Sequence, residues 1–262
     1  MTDRPETSAG IDVGTECIKV AVIDRAGTML GSAVTDRRGY FQDRVQECFQ
    51  AALDDARLTA ADLVGVCATG FGASCAPMAT TRLGATACHA LGAFQAFGRP
   101  MSLVDLGARD PRVIHVNGQG HPVAIFTLRR CAAGTGVFLD QAAKHLDVHP
   151  TRLQELAAVA ESSAHVGSYC SIFSYTDVLT RLREGRTREE VARGCIESIA
   201  ERILEIGGFE DPVRVSGGVP EYYPGVLQSL AAKIGLKVEA ISQPIMVGAV
   251  GAASWVFRRN ES

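Results

Sequence analysis

Hydrophobic and polar positions along the chain switch repeatedly between a period of two and a period of 3.6, which predicts strands and helices in alternation. At 10–23 an apolar strand, a Gly/Thr turn and a second strand led by Cys17 and Ile18 predict a hairpin. Residues 43–58 carry helical spacing (Val45, Phe49, Ala52, Leu53), and 63–69 reads as a buried strand ending in Gly70-Phe71-Gly72. An Ala/Gly-rich helix at 84–97 leads to a third strand at 102–110, with 113–117 as its antiparallel partner. The unit strand, Asp-x-Gly, polar turn, strand thus appears at Asp12 and again at Asp105, which predicts two related halves facing one cleft.

Residues 126–131 approach a helix whose apolar face is Val137, Phe138, Ala142 and Leu146. Further helices are predicted from Pro150 to about Ala160, from Cys170 through Leu182, and over 187–206, the last with an acidic first turn. The charge run from Arg181 to Arg193 reads as a solvated helix face. A strand at 212–219 closes on Ser216-Gly217-Gly218, where bare backbone lets a ribose and α-phosphate approach. Residues 226–234 are helical, 237–240 form a short strand, and 244–256 form a final helix. The order is α/β throughout.

At 262 residues the chain can bury a good core and fits two lobes. With 47% hydrophobic and 21% charged residues it reads as soluble and globular, and a net charge of −3 gives no basic footprint for nucleic acid. No run is long enough to span a bilayer and residues 1–9 are polar, so a cytoplasmic protein without a membrane partner is expected. Eight cysteines without framework spacing then point to free thiols or metal ligands.

The candidate chemistry sits in two places. The turn Asp12-Val-Gly14-Thr15 sets backbone N–H groups and a hydroxyl beside a carboxylate, which suits phosphates and the hydration shell of Mg²⁺. Cys131, in Arg-Arg-Cys-Ala-Ala-Gly-Thr-Gly, and Cys170 each precede a helix start, where unpaired N–H groups favour a thiolate. An iron–sulfur cube wants four thiolates, so a cluster on this pair would be shared by two subunits across a two-fold axis. The competing reading makes both cysteines small core residues. Cys17, Cys48, Cys67, Cys75, Cys88 and Cys195 lie in apolar or Ala-rich surroundings and read as packing. His145 and His149 share an i, i+4 spacing without a third ligand and read as a surface pair with no metal.

Taken together, Gly-Ile-Asp-Val-Gly-Thr at 10–15, Ala-Thr-Gly-Phe-Gly at 68–72, Asp-Leu-Gly-Ala-Arg-Asp at 105–110, Cys-Ala-Ala-Gly-Thr-Gly at 131–136, Cys-Ser-Ile-Phe at 170–173, Ser-Gly-Gly-Val at 216–219 and Gly-Ala-Val-Gly-Ala-Ala at 248–253 resemble the BadF/BadG/BcrA/BcrD-type ATPases. These are the activators of 2-hydroxyacyl-CoA dehydratases and the ATPase subunits of benzoyl-CoA reductases. The resemblance implies a two-lobed, actin-like α/β fold with ribonuclease H-like lobes and a nucleotide cleft. The lobes would be 1–100 and 101–262, the second carrying both cysteines and the final helix free to pack back on the first. It implies ATP/ADP and Mg²⁺ at Asp12, Gly14 and Thr15 (first phosphate loop) and at Asp105 and Gly107 (second), with Asp12 and Asp105 catalytic. Gly134, Thr135 and Gly248 would border the nucleotide, and Gly217 and Gly218 would approach the nucleoside. It implies one 4Fe-4S cluster held by Cys131 and Cys170 of two protomers, a ferredoxin or flavodoxin donor, and a CoA-thioester reductase or dehydratase partner that receives a low-potential electron.

The chain departs from the family pattern at Ala108 and Arg109, which stand where Gly and Gln are usual, at Arg129-Arg130, at Tyr175 in place of a glutamate, and at Pro220, Glu221 and Tyr222. An added methyl crowds a phosphate and an arginine accepts no hydrogen bond from a water, so hydrolysis is the less secure expectation. A homodimer would carry the altered loop in both sites, whereas a heterodimer keeps one standard. The reading therefore leans to a benzoyl-CoA reductase-type subunit paired with a homologous ATPase subunit, with a homodimeric dehydratase activator as the alternative. A sugar or acyl kinase and a non-catalytic nucleotide-binding protein are the readings of another class.

Overall fold

The computed structural model describes residues 6–36, 38–128, 134–167 and 171–260. They divide into two compact units, one comprising Met1–Pro100, Val116–Val123 and Ile245–Ser262, the other Met101–His115 and Ala124–Pro244.

In the first unit β1 (Thr7–Val13) and β2 (Cys17–Asp24) form the expected hairpin, paired from Thr7↔Asp24 to Val13↔Ile18. They are joined by β3 (Met29–Asp36), β4 (Leu63–Thr69) and β5 (Thr81–Arg82) in the order β3-β2-β1-β4-β5. Strand parity decides which side chain goes where. Ala9, Ile11, Val13, Ile18, Val20 and Val22 pack with Val45, Phe49 and Leu53 of helix α1 (Phe41–Ala56). Ala21 and Ile23 pack on the other face with Ala249, Ala253 and Phe257 of the last helix, α9 (Val247–Asn260). Both faces being covered, the hairpin reads as an unbroken apolar run. Helix α2 (Ala85–Phe97) lies against α9 with backbones touching: a Cβ on Gly92 would stand 2.0 Å from the Val247 carbonyl oxygen, and one on Gly251 would stand 1.8 Å from that of Cys88.

In the second unit β6 (Met101–Asp105), β7 (Arg112–Val116), β8 (Pro122–Thr127), β9 (Val213–Ser216) and β10 (Val238–Ala240) lie in the order β10-β9-β6-β7-β8. Counted in chain order, the strands of both sheets run third, second, first, fourth, fifth when each sheet is followed from the edge that keeps its first strand central, and each first strand ends at or next to the aspartate of an Asp-x-Gly turn. The repeated motif therefore corresponds to a repeated sheet, one in each α/β unit.

Helices α3 (Gly136–His145), α4 (Pro150–Ala158), α5 (Ser171–Arg183), α6 (Arg188–Leu204), α7 (Gly218–Tyr222) and α8 (Pro224–Ile234) complete the second unit. Its core joins Phe138, Leu139, Ile199, Ile203, Val213, Val215, Val226 and Leu230. Helix α6 opens with a capping box, in which Thr187 and Glu190 each accept from the other's backbone N–H. His145 ends α3 and His149 caps α4, so the pair is split over two helices and not on one helix face.

Candidate functional site

The hairpin register sets Asp12 opposite Lys19, both on the α9 side of the sheet. Lys19 Nζ donates to Asp12 Oδ2 at 3.0 Å, with both side chains nearly buried. Burial pushes the Asp12 carboxyl up, but the Lys19 ammonium, helped by His89, outweighs it and holds the group below the ordinary carboxylate range. Burial lowers the Lys19 ammonium and the Asp12 charge more than restores it, so the net shift is upward. The site therefore holds an ionised pair at neutral pH.

Glycine backbone closes around this pair. A Cβ on Gly70, whose φ is +87°, would stand 2.5 Å from Asp12 Oδ1. One on Gly248, in the first turn of α9, would stand 2.9 Å from His89 Nε2 and 3.1 Å from Asp12 Oδ2. One on Gly14 would meet Lys19 Nζ at 2.9 Å. Any larger residue at these positions would collide with the pair, and the pair itself, one carboxylate and one ammonium, is the chemistry that a hydrated divalent cation and a phosphate oxygen take. The Gly14 N–H itself is engaged, donating to the Cys17 carbonyl at 3.0 Å, so the turn offers its carboxylate and ammonium more than the full set of amides expected from the motif. Thr15 lies half-buried in the same turn.

The second unit repeats the arrangement. Asp105 ends β6 opposite Ser216 of β9, and Arg112 Nε stands 3.6 Å from its Oδ2. The two glycine loops are joined, since Leu106 N donates to Ser216 O at 2.8 Å and Val219 N to Leu106 O at 3.0 Å. Gly217 closes against Leu106 O, while beside Gly107 and Gly218 no described residue other than their chain neighbours and, for Gly218, its own helix comes within 4 Å of an added Cβ. Bare backbone is thus open at both, which suits a nucleoside diphosphate.

This unit also holds what the sequence did not reveal. Gly107 O, Ala108 O and Arg109 O accept from the N–H groups of Gly136 (3.3 Å), Val137 (3.1 Å) and Thr135 (3.3 Å), and Thr135 Oγ1 also donates to Arg109 O at 2.6 Å. The Asp105 loop is therefore the cap of α3. These first-turn N–H groups are occupied, not unpaired as the motif alone implied, because a strand-end loop returns over them. Tyr223 donates to Asp140 Oδ1 at 3.0 Å, tying α3 to the segment that follows Gly218, and burial pushes the Asp140 carboxyl up.

Arg202 of α6 is buried, donates to Gly134 O at 3.2 Å and lies over the Phe138 ring, which stacks on Tyr175 at 5.6 Å. Gly134 and Thr135 are accordingly placed beside the Asp105 loop. Cys131 and Cys170 lie outside the described residues. Of the other thiols, burial pushes Cys195 up to about 12 and Cys48 up to about 11.

Asp12, Gly14, Thr15 and Gly248 are thus gathered in the first unit, and Asp105, Gly107, Gly134, Thr135, Gly217 and Gly218 in the second. Lys19, His89, Gly70, Arg112 and Arg202 are additions. Lys19 could have been found by counting across the hairpin turn, whereas His89 has no signal in an Ala/Gly-rich helix.

The model of the BadF/BadG/BcrA/BcrD ATPase family matches residues 9–256. The chain is 29% identical over 251 residues to the activator of lactoyl-CoA dehydratase of Anaerotignum propionicum, covering 95% of this chain and 96% of that protein. It is 27% identical over 268 residues to a subunit of the benzoyl-CoA reductase of Thauera aromatica, covering 97% of this chain and 94% of that protein. The crystal structure of component A of the Acidaminococcus fermentans (R)-2-hydroxyglutaryl-CoA dehydratase superposes with a TM-score of 0.92 at 26% identity, over 98% of this chain and 100% of that one.

Proposed function

Because this chain belongs to the BadF/BadG/BcrA/BcrD ATPase family, we propose that it is the ATP-driven activator of a 2-hydroxyacyl-CoA dehydratase. The observation that carries the reading is the pair of Asp-x-Gly turns, at Asp12 and Asp105, each following the first strand of a sheet with the same strand order.

In this reading Mg²⁺ bound with ATP neutralises phosphate charge and polarises the γ-phosphoryl group. Asp12 would order the waters of the metal, with Lys19 keeping it ionised and offering its charge to the phosphates, and Asp105, at the end of β6, would be the carboxylate of the second turn. Gly107 and Gly218 let the nucleotide approach backbone that carries no side chain. A 4Fe-4S cluster on Cys131 and Cys170 of two protomers would supply the one-electron carrier. What this chain's own residues contribute is the connection: a displacement of the Gly107–Arg109 backbone moves its acceptors away from Thr135, Gly136 and Val137, and so bears on the segment that follows Cys131.

The case for a heterodimeric reductase subunit rests on Ala108 and Arg109. The loop caps α3 through its carbonyls, a connection that those side chains leave unchanged. The likeness to dehydratase activators supports the activator reading. The benzoyl-CoA reductase reading is kept by the likeness to the Thauera aromatica protein.

The test is turnover of Mg-ATP. Removing a carboxylate that orders the metal's waters takes away a transition-state interaction, so Asp12→Ala and Asp105→Ala each lower kcat by about 100-fold or more. Unchanged hydrolysis in both variants, or no hydrolysis by the wild type, overturns the reading.

A further inference from the structure

His89 is a buried polar side chain, 7% exposed, in an otherwise small-residue stretch of α2 where alanine or leucine would satisfy packing alone. Its place is fixed by the bare contact of two helices, since the Cys88 carbonyl beside it lies against Gly251 and Gly92 lies against Val247. Neither helix can slide without collision. His89 Nε2 and Asp12 Oδ2 lie 2.9 Å and 3.1 Å from one point, the position a Cβ on Gly248 would take, so imidazole and carboxylate flank the same glycine.

The Asp12 carboxylate needs such a neighbour. Its χ2 torsion is broad, and one ion pair, from Lys19 to Oδ2, leaves the plane of the group free to rotate about that contact. Gly70 lies beside Oδ1, where an added Cβ would stand 2.5 Å away. The His89 ring, carried by α2, stands beside Oδ2 across the bare Gly248 position, and preorganisation of this kind is what lets a carboxylate order a metal's waters without reorganising.

We propose that His89 is a positioning residue of the phosphate site, its Nε2 edge fixing the orientation of the Asp12 carboxylate toward the magnesium nucleotide. The inference rests on the ATPase reading above and deepens it by naming the residue that makes Asp12 selective for the metal-bound ligand.

Three substitutions separate this role from packing. His89→Leu keeps bulk without a polar edge, His89→Gln can place an amide where Nε2 stands, and His89→Asn reaches only the nearer ring position. Each is checked for folding by circular dichroism, then titrated calorimetrically with ADP in EDTA and with ADP plus magnesium, and assayed for kcat and KM. In His89→Leu, binding of ADP in EDTA stays within about 2-fold of wild type, while magnesium-dependent affinity and kcat each fall by about 10-fold or more. His89→Gln recovers most of both and His89→Asn does not. If the leucine variant fails to fold, the Gln/Asn contrast decides alone. Equal behaviour of Gln and Asn, wild-type values in His89→Leu, or equal losses with and without magnesium overturn the proposal. Wild-type protein that binds no magnesium nucleotide overturns the ATPase reading itself, a result distinct from any of these.

Discussion

Lys19 stands opposite Asp12 because three residues link the strands, and that pairing makes the site's charge conditional on both partners. Lys19→Met leaves a buried carboxylate without its cation and costs about 3 kcal/mol at pH 7. Because the folded Asp12 carboxyl lies below its unfolded value, the stabilisation is complete above about pH 4 and is lost as pH falls through the folded pKa. The difference between wild type and Lys19→Met in urea melts therefore narrows on acidification below that range, and a constant gap contradicts the assignment. Arg202 is a second buried cation of this kind. Arg202→Ala removes a buried donor to Gly134 O and a cation from the Phe138 face, and costs about 3 kcal/mol in the same melts. Asp12 and Asp105 were legible because Asp-x-Gly between apolar runs is a local pattern. Lys19 was legible only through the hairpin register, and His89 and Arg202 were not, since a histidine in an Ala/Gly-rich helix or an arginine in a charged one carries no mark of burial until the opposing element is known.

Element boundaries followed local chemistry closely where the pattern was strong: the predicted strand at 63–69 is β4 as it stands, Leu63–Thr69. Strand β3 went unread because it alternates weakly and is largely solvent-facing at the sheet edge. The cap of α3 was invisible for another reason, since its acceptors lie more than twenty residues earlier in the chain. Thr135→Val removes the hydroxyl donor to Arg109 O and costs about 1–2 kcal/mol, with weakened coupling between nucleotide and α3 that hydrogen exchange of the Gly136 and Val137 amides reports. Unaltered exchange in the variant contradicts the cap. Gly134→Ala acts by strain more than by stiffening, because Gly134 has φ +95° and a Cβ would stand 3.3 Å from Phe138 N. A loss of about 1–2 kcal/mol in melting is expected.

At the scale of the molecule, one repeated motif anticipated one repeated sheet, and that duplication is why the fold was readable from sequence. The proposed assembly is tested by stoichiometry: one 4Fe-4S cluster per two protomers would give about two irons per chain on anaerobic purification, and Cys131→Ser or Cys170→Ser would abolish it while Cys195→Ser would not. A full cluster in either of the first two variants contradicts the ligand assignment. The central claim is that hydrolysis by this chain drives activation of a partner acting on a CoA thioester. Its most direct measurement combines anaerobically prepared protein, a one-electron reductant and a 2-hydroxyacyl-CoA dehydratase component, and follows dehydration with ATP, with ADP and with a non-hydrolysable ATP analogue. The account predicts turnover with ATP alone, lost in Asp12→Ala and Asp105→Ala; equal turnover with ADP, with the analogue or without nucleotide would contradict it.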